Sequence, residues 1–142
     1  MQKIILDTNV IVSALISKSI PTIILYEFVL TKEVETCLSE EIFSEYVNVM
    51  NREKFAKFVN FKTKADVVLN KLREISTFYK TSKKIEILTD TSDNKFLELA
   101  AVCSADYLIT GNTQDFQLTE FEYTRILTPR EYWDSYKSPN GN

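Results

Sequence analysis

The chain contains no histidine, and that absence removes more chemistry than any other feature of its composition. Without imidazole there is no Ser–His or Cys–His nucleophile pair, no histidine-based ribonuclease chemistry and no histidine metal site. Any catalysis must rest on carboxylates, lysines or hydroxyls, and hard oxygen ligands select hard cations such as Mg²⁺ or Mn²⁺. Glycine is nearly as scarce: two among 142 residues leave no glycine-rich phosphate loop and no obvious linker. The two cysteines, Cys37 and Cys103, are too few for a disulfide scaffold, and their apolar neighbours read as a setting for buried reduced thiols. No apolar run approaches the roughly 20 residues of a membrane helix. The short apolar run before Asp7 stops at that acid and does not read as a signal peptide, so the cytoplasm is the expected compartment.

What remains is ordinary for a globular protein, with 44% hydrophobic and 26% charged residues. The length suits one domain able to bury its own core, here residues 1–137, with 138–142 expected to be a disordered tail. Net charge is −3, which alone argues weakly against a nucleic-acid partner. Its distribution is uneven. Residues 51–84 hold ten bases against three acids, a local charge of +7, while the remaining seven bases and seventeen acids give −10. A solvated helical surface is the ordinary meaning of such a run. A phosphate-contact surface is the alternative, because an anionic active site needs help to hold a polyanion.

Periodicity predicts strands at Lys3–Leu6, Val34–Leu38, Ile85–Leu88, Tyr107–Ile109 and Thr124–Leu127. Helices are expected at 9–16 with Thr8 as cap, 20–30, from Ser39 onward, 63–79, after Thr91 or Ser92, and from Pro129 to about Tyr136. A short helix is expected over 53–60. Strands alternating with helices imply an α/β fold: a three-layer α/β/α arrangement around a mainly parallel sheet of about five strands. Ligands bind such sheets at the carboxyl ends of the strands. The positions to inspect are therefore Asp7, Thr8 and Asn9, then Asp90 and Asp93, then Thr110, Asn112 and Asp115.

Each acid alone has a plain structural reading. Asp7 can cap the next helix, and Asp93 suits the positive end of one. Asp115 suits a turn, and Glu45 can reach water from the edge of an apolar stripe. Together, at one end of a parallel sheet, they repel one another unless a cation is shared among them. A divalent ion there could activate water and stabilise the charge of phosphoryl displacement.

Three segments carry a resemblance: Ile4-Ile5-Leu6-Asp7-Thr8-Asn9-Val10, then Asp90-Thr91-Ser92-Asp93-Asn94-Lys95-Phe96-Leu97-Glu98-Leu99-Ala100, then Ala105-Asp106-Tyr107-Leu108-Ile109-Thr110-Gly111-Asn112. In this order, with a helix bearing Glu45 between the first two, they resemble PIN domains over about residues 3–133. They look closest to the group assigned as toxins of bacterial and archaeal toxin–antitoxin systems. The resemblance implies a metal-dependent endoribonuclease, with RNA as substrate, Mg²⁺ or Mn²⁺ as cofactor and an antitoxin protein as partner. Asp7, Glu45 and Asp93 match the family's metal-binding acids. Thr8, Asn9, Ser13 and Thr110 match its polar support. Where the family usually carries a fourth acid, this chain has Asn112, a neutral amide that brings a carbonyl instead of a carboxylate. Asp115 matches a further acid three positions on, so Asp7, Glu45, Asp93 and Asp115 are the implied catalytic acids, with Asn112 added as an implied ligand. Lys54, Lys57, Lys62, Lys64, Lys71 and Arg73 are the candidate RNA contacts in the basic middle.

Rival readings of the sequence stay open. A Mg²⁺ phosphatase of the haloacid-dehalogenase type needs a second Asp where this chain has Asn9. A PIN fold that binds without cutting is kept alive by Asn112, and a nuclease of RNA processing by the lack of any target signature. The aromatic Tyr132, Trp133 and Tyr136 read as core or as the surface of a homodimer, not as a base-stacking platform.

Overall fold

A computed structural model describes residues 1–82, 84–88 and 90–137, with Asp115 described by its backbone alone. The expected tail at 138–142, and Lys83 of the basic run, lie outside the described residues.

Ile4, Ile5 and Leu6 are all buried, as an unbroken apolar run must be at the centre of a parallel sheet with both faces covered. They form β1 (Lys3–Leu6), flanked in parallel by β2 (Glu35–Leu38) and by β4 (Tyr107–Ile109). Outside these lie β3 (Thr77–Phe78) beside β2, and β6 (Thr124–Leu127) beside β4, both parallel. A short hairpin strand, β5 (Glu120–Phe121), closes the edge antiparallel to β6. The order is β3-β2-β1-β4-β6-β5. The chain thus runs outward from β1 to β3, then returns to the other side of β1. That reversal is the switch point at which such sheets open a crevice, and it lies beyond the carboxyl ends of β1 and β4.

The helices are α1 (Thr8–Ile16), α2 (Ile20–Ile23, continuing as a π-helical turn over Ile24–Val29), α3 (Glu40–Met50), α4 (Phe61–Ile75), α5 (Asn94–Cys103), α6 (Thr113–Phe116) and α7 (Pro129–Lys137). The architecture is the expected three-layer α/β/α, with six strands in place of about five. Ser39 starts α3 by accepting the amide of Ile42 at 3.2 Å. Tyr46, fully buried, ties α3 to the sheet by donating its hydroxyl to the carbonyl of Leu6. Glu45, one residue before it, is thereby carried to the end of β1. Phe28 stacks on Tyr136 and Trp133, while buried Tyr132 donates to Gln2 at 2.8 Å, so the C-terminal aromatics pack into the core. Cys37 and Cys103 are buried free thiols, as expected. Among the described residues no single helix is long and apolar enough to cross a membrane.

Four local expectations are corrected. Asp7, not Thr8, caps α1, because its carboxylate reaches the first free amide of the helix. The expected strand at Ile85–Leu88 does not form. Its buried ends are held as coil instead, with the Ile85 amide donating to Glu98 at 3.1 Å and the Leu88 amide to Asn94 at 3.0 Å. Side chains of α5 thus replace a ladder. The third strand comes from Thr77–Phe78, which helical periodicity assigns to α4. There Ser76 turns the backbone extended, and two β-forming residues pair with Cys37 and Leu38. Finally, the helix within 53–60 is a single 3₁₀ turn, Glu53–Phe55.

Candidate active site

The strand β1 ends at Leu6, and the next residue is an acid that is only 7% exposed. One oxygen of Asp7 accepts the Thr8 amide at 2.7 Å, which caps α1. The other accepts the hydroxyl of fully buried Thr110, at the end of β4, also at 2.7 Å. Thr110 Oγ1 in turn accepts the Asn112 amide at 3.1 Å, so its one proton is committed to Asp7. Asn9 closes the arrangement, with Nδ2 at 3.4 Å from Asp7 and Oδ1 accepting the Gly111 amide at 3.1 Å. Glycine leaves room there, because a Cβ would stand 3.3 Å from Asn9 Oδ1, a tight contact that the Asn9 side chain would have to yield to.

Burial outweighs these donors. The Asp7 carboxyl is pushed up to about 6 from an ordinary 3.8, chiefly by desolvation, against the hydrogen bonds from Thr110 and Thr8. The negative charge of Glu45 adds to the rise, and Lys95 opposes it. Glu45 accepts the hydroxyl of Thr8 on one oxygen and pairs with the Lys95 ammonium, 2.6 Å away, on the other.

The cleft above has a volume of about 440 Å³. Asp7, Asp90, Asp93 and Asn112 supply acids and an amide, Thr8, Asn9 and Ser13 further polar groups, and Arg52 and Lys54 the basic part of its wall. Asp90 is fixed by accepting the amide and hydroxyl of Ser92 at 3.0 and 2.6 Å, which hold its carboxyl below the usual range. Among the described residues, no three acidic or cysteine side chains stand close enough together to hold a metal ion as arranged.

The structure therefore brings Asp7, Thr8, Asn9, Ser13, Asp93, Asn112 and Lys54 to one cleft, with Thr110 beneath and Glu45 joined through Thr8. Asp115 lies in α6, and its side chain is outside the described residues. The other candidate RNA contacts are placed elsewhere. Lys62 pairs with Asp66 and Lys71 with Glu74, while Lys64 donates to the Leu15 carbonyl at 2.9 Å. Arg73 grips Glu40 at 2.7 and 3.1 Å and lies over Phe43 and Phe78, and Lys57 lies over Phe58. The sequence does not mark Arg52 or Lys95 as site residues, and it marks Asp90 only as a position past an expected strand. Nothing local identifies Lys95 as a neighbour of Glu45.

The family profile described as "PIN domain" matches residues 3–114. The chain is also similar to the uncharacterized protein MJ1680 of Methanocaldococcus jannaschii, with 24% identity over 144 residues, covering 95% of this chain and 92% of the relative.

The burial of Asp7 has a measurable cost. An Asp whose folded pKa is raised binds more protons folded than unfolded between the two values, so it costs stability as pH rises through about 4 to 6, and the cost persists above. Asp7→Asn removes that cost. Without added metal it should gain up to about 3 kcal/mol over wild type at pH 8, and little or nothing at pH 3.5, by urea denaturation across pH. A variant less stable than wild type at pH 8 would show that the carboxylate is not under strain.

Proposed function

The chain belongs to the PIN-domain family, generally a family of nucleases, and from that premise we propose that it is an endoribonuclease dependent on Mg²⁺ or Mn²⁺. One observation carries the reading: the buried carboxylate of Asp7 opens, at the switch point of the sheet, into a cleft that also receives Asp90 and Asp93. The donors suit a hard divalent cation in kind, since all are carboxylate or amide oxygens. The absence of a closed three-acid cage among the described residues is compatible with Mg²⁺, which keeps several waters and takes one or two carboxylates plus substrate phosphate. Asp7 and Asp93 would hold the ion, with Asn112 and Asp115 as further expected donors. When bound, the ion would supply charge stabilisation and a more acidic water.

The chain's own residues do the positioning. Thr110, Thr8 and Asn9 fix both oxygens of Asp7. Arg52 and Lys54 share the cleft with the acids, so a polyanionic strand can be held by its neighbouring phosphates while one is presented to Asp7. Within this reading the protein is the toxin of a toxin–antitoxin pair, cytoplasmic and homodimeric. A role in RNA processing uses the same chemistry, and a small adjacent reading frame encoding an antitoxin distinguishes the two.

A second reading has its own support. Glu45 is already neutralised by Lys95, and Asn112 stands where the family resemblance expects an acid. Both favour a PIN fold that binds RNA with little or no cutting.

Cleavage of a labelled single-stranded RNA separates the two readings. Wild type should cut in Mg²⁺ or Mn²⁺ and stop in chelator, and Asp7→Asn or Asp93→Asn should lower the rate at least a hundredfold while remaining folded. Full activity in chelator would overturn the metal-dependent reading, and a metal-loaded wild type that binds RNA without cutting would favour the binding module.

The role of Arg52 and Lys54 has a separate signature. The double variant Arg52→Ala/Lys54→Ala should weaken RNA binding for all sequences alike. It should also flatten the slope of log affinity against log salt by roughly 0.7 for each phosphate no longer neutralised. An unchanged slope would remove both residues from the interface.

A further inference from the structure

A cation of the protein's own stands near enough to Asp7 for its charge to act on that acid. Lys95, in the first turn of α5, places its ammonium 2.6 Å from Glu45. It also donates to the carbonyl of Ser92, inside the turn that carries Asp90 and Asp93. With side-chain exposures of 12% for Lys95 and 26% for Glu45, this is the least exposed ion pair among the described residues. The others, such as Lys62–Asp66 at 63% and 53%, sit in water, where such pairs contribute little. The second oxygen of Glu45 accepts the hydroxyl of buried Thr8. Both Glu45 oxygens are therefore engaged by donors fixed on α1 and α5.

We infer that Lys95 is a built-in counter-ion that reserves Glu45: it keeps this carboxylate paired with the protein, stabilises the metal-free acid cluster, and weakens the binding of a divalent ion in the cleft. The inference rests on the metal-dependent reading above. A divalent ion that recruits Glu45 competes with a partly buried pair, and an ammonium close enough to act on Asp7 repels an ion held there across a medium less screening than water. Mutual repulsion of the acids, which favours a protonated cluster, is partly offset without metal. Lys95 thus acts as a positioning residue. It sets how tightly the ion is held and which acids remain to hold it, namely those other than Glu45.

The test is calorimetric titration of Mn²⁺ into wild type, Lys95→Gln and Lys95→Arg, with thermal melts of each in chelator. Lys95→Gln should bind Mn²⁺ about tenfold more tightly and melt at a lower temperature without metal, whereas Lys95→Arg stays within about threefold of wild-type affinity. Mn²⁺ binding by wild type that Lys95→Gln leaves unchanged or weakens overturns the inference alone. Failure of wild type and Lys95→Gln alike to bind Mn²⁺ overturns both the inference and the metal-dependent reading. A measurement on wild type guards against a variant that does not fold. ¹⁵N NMR of the Lys95 ammonium should show a slowly exchanging, paired signal that persists when Mg²⁺ saturates the protein. Its loss on Mg²⁺ addition would mean that the ion takes Glu45, contrary to the inference.

Discussion

A single carboxylate is held out of water where the sheet reverses its direction of growth, and much of the surrounding structure serves to keep it there. Asp7 follows the central strand directly, so its position is fixed by burial of Ile4, Ile5 and Leu6 rather than by a mobile loop. Its two oxygens are divided between the start of α1 and the end of β4. The same donors cannot fully offset desolvation, and the acid is left poised near neutral pH. A group so placed is costly to the free protein and favourable to a bound cation, which is the usual balance at a functional site.

The charges around Asp7 follow from that cost. Glu45 raises the cost by repulsion, and Lys95 lowers it. Tyr46 matters here although it carries no charge, because its bond to the Leu6 carbonyl sets the height of α3 and so the reach of Glu45. On the opposite side, the turn at Asp90–Asp93 depends on α5, whose Asn94 and Glu98 hold the preceding coil by its amides. The wall of the cleft carries acids on one part and Arg52 and Lys54 elsewhere.

Much of this was legible in the sequence, for definite reasons. An apolar run ending in Asp, followed by Thr and Asn, marks a central parallel strand and the polar groups at its carboxyl end. Thr110 and Gly111 were legible in the same way, since they lie at the end of the neighbouring strand. Ile85–Leu88 misled because a short apolar run has the same pattern whether it pairs with a strand or is pinned by side chains from a distant helix. Thr77–Phe78 misled because the spacing of Ile75 and Tyr79 fits a helix, and only pairing with β2 decides otherwise. The Lys95–Glu45 pair joins residues fifty positions apart, a proximity with no local signal. Composition located the basic run but not its members. Lys62, Lys71 and Arg73 pair with acids on the surface, while Lys54 and Arg52, which no local signal separates from the rest, reach the cleft.

The protonation state of Asp7 is the point on which burial, the proposed metal binding and the surrounding charges all meet. Titration of its side-chain carboxyl by ¹³C NMR, in the free protein and in saturating Mg²⁺, measures that state without reference to turnover. In the free protein the midpoint should lie at about 6, and Mg²⁺ should lower it by more than a unit, because an ion that binds the carboxylate competes with its proton. A midpoint at the ordinary 3.8 that Mg²⁺ does not move would contradict both the burial argument and the assignment of Asp7 as a metal-binding acid.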